Sequence, residues 1–172
     1  MSDAPREVAP APTWGFEEAF RESYLSLVRA LTAACGDAEV AADCVQDAWV
    51  KAHVRWRRIS AYDNPIAWVR RVAIHKMRDH FRREARGSRA RALLAAGSTF
   101  VEEPVVGAGG GAIALVASLP PQQRLAMSLY YVEGLTVAEV AAAMSISEGA
   151  VKFHMNQGRE RLRPRLVEAS DA

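Results

Sequence analysis

Two stretches of this sequence carry side chains suited to gripping a polyanion. The first, NPIAWVRRVAIHKMRDHFRR from Asn64 to Arg83, holds five arginines and one lysine against a single acid, Asp79. The second, from Lys152 onward, offers Lys152, Phe153, His154, Asn156, Gln157, Arg159, Arg161 and Arg163. Guanidinium and ammonium groups pair with phosphates. Asparagine and glutamine amides can bond adenine bidentately, lysine can bond guanine, and an aromatic ring can touch a thymine methyl. The chemistry on offer is binding. No catalytic constellation accompanies it: the four histidines are scattered, no Ser-His-Asp or metal-ligand spacing recurs, and GAGGG lacks the Lys-Ser/Thr of a phosphate loop. Cys35 and Cys44 form no CxxC and have no histidine cluster nearby, so two small buried thiols are expected rather than a zinc site or a disulfide. The chain therefore reads as a non-enzyme with no cofactor, no metal and no small-molecule substrate.

The net charge of +2 conceals a strong asymmetry along the 172 residues. Met1 to Val54 holds four lysines and arginines against nine acids, Arg55 to Arg91 twelve against three, and Ala92 to Ala172 six against eight. A focused basic segment attracts phosphate in a salt-dependent way, while acidic flanks limit indiscriminate adhesion. No run of about 18 uncharged apolar residues occurs, and the start, MSDAPREVAPAP, lacks the pattern of a secretion leader, so a soluble cytoplasmic protein without membrane insertion is expected.

The elements that must position these residues read as helices throughout. Residues 1–12, rich in alanine and proline, are expected to be a disordered tail. Phe16, Phe20, Tyr24, Leu27 and Leu31 recur at three and four, predicting a first helix that ends near Cys35 and Gly36. Asp37 can cap a second, with Val40, Ala41, Cys44, Val45, Ala48, Trp49 and Ala52 inward and Asp43, Gln46, Asp47 and Lys51 on the opposite face. Asn64 before Pro65 starts a third, predicted to run to about Glu84. Its stripe of Ile66, Val69, Ala73 and Met77 is expected to push Arg70, Arg71, Arg78, Arg82 and Arg83 outward.

From Arg86 the composition turns to glycine clusters without periodicity, which predicts a flexible linker over residues 87–112. A second helical unit follows over residues 113–168. Pro120-Pro121 restarts a helix through Leu125, Leu129 and Val132, and Gly134 suits its left-handed cap. Thr136 and Glu139 have capping-box spacing, opening a short helix, and Ser147 caps the next one, with Val151, Met155 and Leu162 inward. Two short helices across a tight turn form a helix-turn-helix pattern, with the polar inventory from Lys152 onward on the second. Gly158 is a local cost in that helix, and Pro164 is expected to end it at Arg163.

Taken together, AADCVQDAWVKAH, NPIAWVRRVAIHKMRDHFRR and LPPQQRLAMSLYYVEGLTVAEVAAAMSISEGAVKFHMNQGRERLR, in this order and spanning about Phe16 to Leu166, resemble the extracytoplasmic-function sigma factors of bacterial RNA polymerase, within the sigma-70 family. The resemblance implies an all-α protein of two small helical domains, region 2-like over residues 13–86 and region 4-like over 113–168. It implies promoter recognition and melting on behalf of core RNA polymerase, with promoter DNA as second partner and an anti-sigma protein as regulator. By position, Asp43, Gln46, Asp47 and Trp49 would contact polymerase. Tyr62, Asp63, Asn64, Arg70, Arg71, His75, Lys76, Arg78, Arg82 and Arg83 would engage the minus-ten element, Tyr62 by stacking an unpaired base and the cations by holding phosphates. Ser147, Lys152, Phe153, His154, Asn156, Gln157, Arg159 and Arg163 would engage the minus-thirty-five element. In the linker, Glu102 and Glu103 would mimic nucleic-acid charge. His75, Ala150 and the pair Phe153-His154 depart from the residues usual in the family, which bears on promoter sequence rather than on function.

Two other readings compete. GLTVAEVAAAMSISEGAVKFH also resembles the DNA-binding half of LuxR-type regulators, although their N-terminal domain is usually α/β or ligand-binding and this one reads as all helix. A sigma-like adaptor that has lost DNA binding is the other.

Overall fold

The computed structural model describes residues 15–94, 116 and 118–170. The predicted tail and most of the predicted linker, including Glu102 and Glu103, lie outside the described residues. Seven helices and no strand occur among them: α1 (Phe16–Cys35), α2 (Ala38–Val54), α3 (Trp56–Ile59), α4 (Pro65–Leu94), α5 (Pro121–Tyr131), α6 (Val137–Met144) and α7 (Glu148–Ser170).

Local chemistry explains most of the boundaries. Glu17 and Glu18 lie in the first turn of α1, where the helix dipole favours negative charge, and α1 stops where Gly36 takes φ 80° and returns its N–H to Thr32. The Asp37 carboxylate accepts from the N–H groups of Glu39 and Val40 at 2.9 and 3.0 Å, and the Asn64 side-chain oxygen accepts from Ala67 at 2.9 Å. At α6 the capping box is complete. The Glu139 N–H donates to the Thr136 hydroxyl, while the Glu139 carboxylate accepts from the Thr136 N–H and hydroxyl at 2.9 and 2.8 Å. These bonds, the backbone one first, hold the Glu139 carboxyl below its ordinary range.

Two ends differ from expectation. Helix α4 continues beyond Glu84 to Leu94, because ARGSRARALL is rich in good helix formers and Gly87 tolerates a helical place. Helix α7 passes through Pro164 instead of ending at Arg163. The carbonyl that loses its partner there belongs to Glu160, an exposed residue whose backbone water can reach.

The buried face of α1, formed by Ala19, Ser23, Leu27, Ala30, Leu31 and Ala34, serves three neighbours at once, since α1 packs on α2, α4 and α5. Helix α4 packs on α2 and α6, and α7 lies across α5 and α6. Consequently the apolar interior is continuous, from Trp49 and Val69 on one side to Leu129, Val140 and Val151 on the other. Alanines at 30, 34, 41, 48 and 52 let the helix axes approach closely. Gly158 has a packing reason too: a Cβ there would lie 3.3 Å from Met127 Cγ and 3.6 Å from a Leu119 methyl.

Gly158→Leu is therefore expected to lower stability by about 1–3 kcal/mol in urea denaturation, as overpacked cores do. Thr136→Ala should cost about 1 kcal/mol at neutral pH. Because the Glu139 pKa is depressed by folding, its contribution is present above the ordinary glutamate value and is lost as pH falls through the depressed one, a dependence that Glu139→Gln should abolish in the same assay.

Candidate nucleic-acid interface

The predicted minus-ten cations divide into two sets. Arg71, His75, Arg82 and Arg83 are exposed along α4, with Lys76 half-buried. Arg82 donates to Asp79 at 2.7 Å, one turn away, and Lys76 pairs with Asp47 on α2. Arg70 corrects the expectation of an outward row: only 6% exposed, it donates through Nε to the Glu133 carboxylate at 2.7 Å. The physical reason is spacing. Arg70, Ala73, Ile74 and Met77 stand at i, i+3, i+4 and i+7, so Arg70 lies on the inward arc of α4. Arg78 is half-buried as well, donating to the Met144 carbonyl at 3.1 Å and the Gln122 side chain at 3.3 Å. Burial lowers the Arg78 pKa, and the neighbouring Arg82 charge adds to the effect. Burial also raises the Glu133 carboxyl, outweighing the pull of Arg70. Glu133 escaped the sequence reading because a lone acid in YYVEGL carries no periodic signal.

In the loop before α4, Tyr62 is 37% exposed, and Asp63 and Asn64 are exposed. The Asn64 oxygen is already occupied by the cap of α4.

On α2, Asp43 and Gln46 are exposed and Asp47 is partly so. Trp49 takes the inward place that its spacing predicted, and so does not offer the polymerase contact that the resemblance implied. It is 2% exposed and wedged edge-on against Phe16 and Phe20, with ring centroids 5.4 and 5.2 Å away. Its place among Val45, Ala48 and Ala52 puts it on the inward arc. The apolar residues that α2 does present are Val50 and Val54, 58% and 79% exposed, which continue the line of Asp43, Gln46 and Asp47 at helical spacing. That spacing was available in the sequence.

The second cationic face holds together as expected. Ser147 Oγ accepts from the Ala150 N–H and so serves the start of α7 rather than standing free. Beyond it Lys152, Phe153, Asn156, Gln157, Arg159 and Arg163 are exposed, with His154 half-buried. Phe153 is 60% exposed, far more than packing requires. Arg163 pairs with Glu160 at 3.0 Å, and Arg159 reaches both Asn156 and Tyr131, the latter a residue the sequence did not single out. The turn between α6 and α7 places Ser145 at φ 58°.

No group of three or more metal-ligating side chains occurs among the described residues, and no helix among them is long and apolar enough to cross a membrane. Cys44 is buried and Cys35 half-buried, both as free thiols. What the two faces can do is hold phosphates along α4 and read base edges from α7.

Comparison with known proteins bears on both faces. Residues 18–87 match the family described as Sigma-70 region 2, and residues 112–162 match Sigma-70, region 4. The ECF RNA polymerase sigma factor SigF of Caulobacter vibrioides is 31% identical over 147 residues, covering 83% of this chain and 78% of that protein. SigM of Mycobacterium tuberculosis, also an ECF sigma factor, is 26% identical over 153 residues, covering 87% and 76%. Among solved structures, the sigma factor RpoE in complex with the anti-sigma factor NepR from Bartonella quintana shares the fold, with a TM-score of 0.64 at 20% identity over 88% of this chain and 96% of that one. The region 2 match is what a LuxR-type regulator would lack. A helical unit carrying exposed cations and a helix-turn-helix unit carrying an exposed polar and cationic face, both matched in one chain, place this protein in the ECF family of RNA polymerase sigma factors.

Proposed function

We propose that the chain carries out its sigma function through three surfaces: the outer face of α2 on core RNA polymerase, the Tyr62 loop and exposed α4 cations on the minus-ten element, and α7 on the minus-thirty-five element. The observation that carries this division is the exposed set Arg71, His75, Arg82 and Arg83 on a helix whose opposite arc is sealed in the core. A charged face on a rigid, buried-backed helix can hold phosphates without reorganising. Within the α2 surface, Val50 and Val54 supply the apolar contact that the core position of Trp49 denies.

With α4 packed on α6, Arg70 is committed to Glu133 and Arg78 to Met144. Using these two cations on DNA therefore requires α4 to part from α5 and α6. An anti-sigma protein is the regulator proposed here. The likeness to a sigma factor solved with such a partner supports this, as does the matching extent of the two folds. The chemistry of transcription belongs to the polymerase, and this chain supplies promoter choice.

Transcription from a promoter library by core polymerase with and without the chain tests the reading, and silence on every promoter would leave the adaptor reading standing. Reversing charge at Arg82 and Arg83 should reduce open-complex formation and lower the salt slope by about one for each phosphate no longer held, while binding to core polymerase is unchanged. On α2 the outcomes should separate. Trp49→Ala is expected to cost about 3–5 kcal/mol of stability. Val50→Asp with Val54→Asp should leave the melting transition in place and weaken polymerase binding in a pull-down with core enzyme.

A further inference from the structure

Three polar side chains form a chain of contacts along the outside of the helix-turn-helix unit. The Arg159 Nε donates to the Tyr131 hydroxyl at 2.9 Å, and the Arg159 Nη1 donates to the Asn156 side-chain oxygen at 3.1 Å. The guanidinium carbon lies 5.8 Å from the Tyr131 ring centroid, within cation–π range. Tyr131 is the last residue of α5, and its ring meets that of Tyr130 edge-on at 4.9 Å. One end of the chain thus stands on a helix other than the one that reads bases.

The arrangement bears on readout because an asparagine amide is ambiguous. Turning it by 180° exchanges its acceptor for its donor, and an adenine edge needs them in one order. Arginine has only donors, so the Arg159 Nη1 can bond the Asn156 oxygen but not its amide nitrogen. The oxygen keeps a second lone pair for a base, while the nitrogen is turned to a defined side. Tyr131 in turn holds the guanidinium by an acceptor and a π face, limiting its swing toward a phosphate.

We infer that Tyr131 and Arg159 are positioning residues that set the amide orientation of Asn156, and through it the base preferred at one position of the minus-thirty-five element. The inference rests on the sigma reading and on α7 as its minus-thirty-five reader. Tyr131→Phe keeps the ring but removes the acceptor. Arg159→Lys keeps a charge for phosphate but cannot span Tyr131 and Asn156 as a fork.

The test is selection from a promoter library with a randomised minus-thirty-five element, using the full chain with core RNA polymerase. Asn156→Ala locates the position that Asn156 reads. At that position Tyr131→Phe and Arg159→Lys are each expected to lower discrimination roughly two- to tenfold, the worth of one hydrogen bond. Preferences at the other positions, and for Arg159→Lys the salt dependence, should stay as in the native protein. Unaltered discrimination in both variants would overturn the inference, and so would an equal loss at every position, which marks a structural role. If the native chain with core polymerase enriches no sequence, the sigma reading falls and takes the inference with it. Enrichment by the native chain with unaltered variants defeats the inference alone.

Discussion

The ion pair between Arg70 and Glu133 fixes how the two halves of this protein meet. Its partners are 63 residues apart, and their side chains are 8% and 3% exposed. Removing two charges from water carries a penalty of several kcal/mol per ion, which attraction offsets only when geometry and further hydrogen bonds are favourable. Here the offset is incomplete: one Glu133 oxygen has no hydrogen-bond partner among the described residues, and burial pushes the Glu133 carboxyl up despite the adjacent guanidinium. A pair of this kind adds little net stability, yet it penalises arrangements that leave either charge buried alone. It favours one register of α4 against the turn after α5.

Around that point the apolar surfaces do the holding. The α1 face of alanines and leucines is wide enough to receive α2, α4 and α5 together, which is why a chain with two recognisable helical units has a continuous interior. Arg78 adds a directional contact to the α6 terminus through the Met144 carbonyl, one of the acceptors a helix end leaves open. The α4–α6 contact is therefore partly polar and the α1–α5 side mainly apolar. Polar contacts of this kind can be exchanged for phosphate or water at smaller cost than a dry surface can be exposed.

Helix α4 serves two masters by angular separation. Residues 69, 70, 73, 74 and 77 turn inward, whereas 71, 75, 82 and 83 stay in solvent. A helix with 3.6 residues per turn permits this division only while the two sets remain on different arcs. Arg70 falls on the inner one although its charge suggests otherwise. On α7 the same division leaves Val151, Met155, Gly158 and Leu162 inside and the polar and cationic residues outside, with Gly158 admitting Met127 at a distance no larger residue would allow unaltered.

The helices, most of their caps and the helix-turn-helix were legible in the sequence, because apolar period, Asp37, Asn64, Thr136 and Glu139 act within four residues of themselves. The chemistry on offer, phosphate holding and base reading, was legible for the same reason: it lies in residue types. Which members of each set face solvent was not. Arg70 carries a side chain that suits a binding surface, yet it is buried against Glu133 from the turn after α5, whereas Trp49, already placed inward by its spacing, is closed over by Phe16 and Phe20 of α1. The contact between Tyr131 and Arg159 depends likewise on α5 ending beside α7. Sequence alone determined what each helix is and what its side chains can bind. Tertiary structure decided which of them remain free to do so, because burial is a property of whatever packs against a face and not of the face itself.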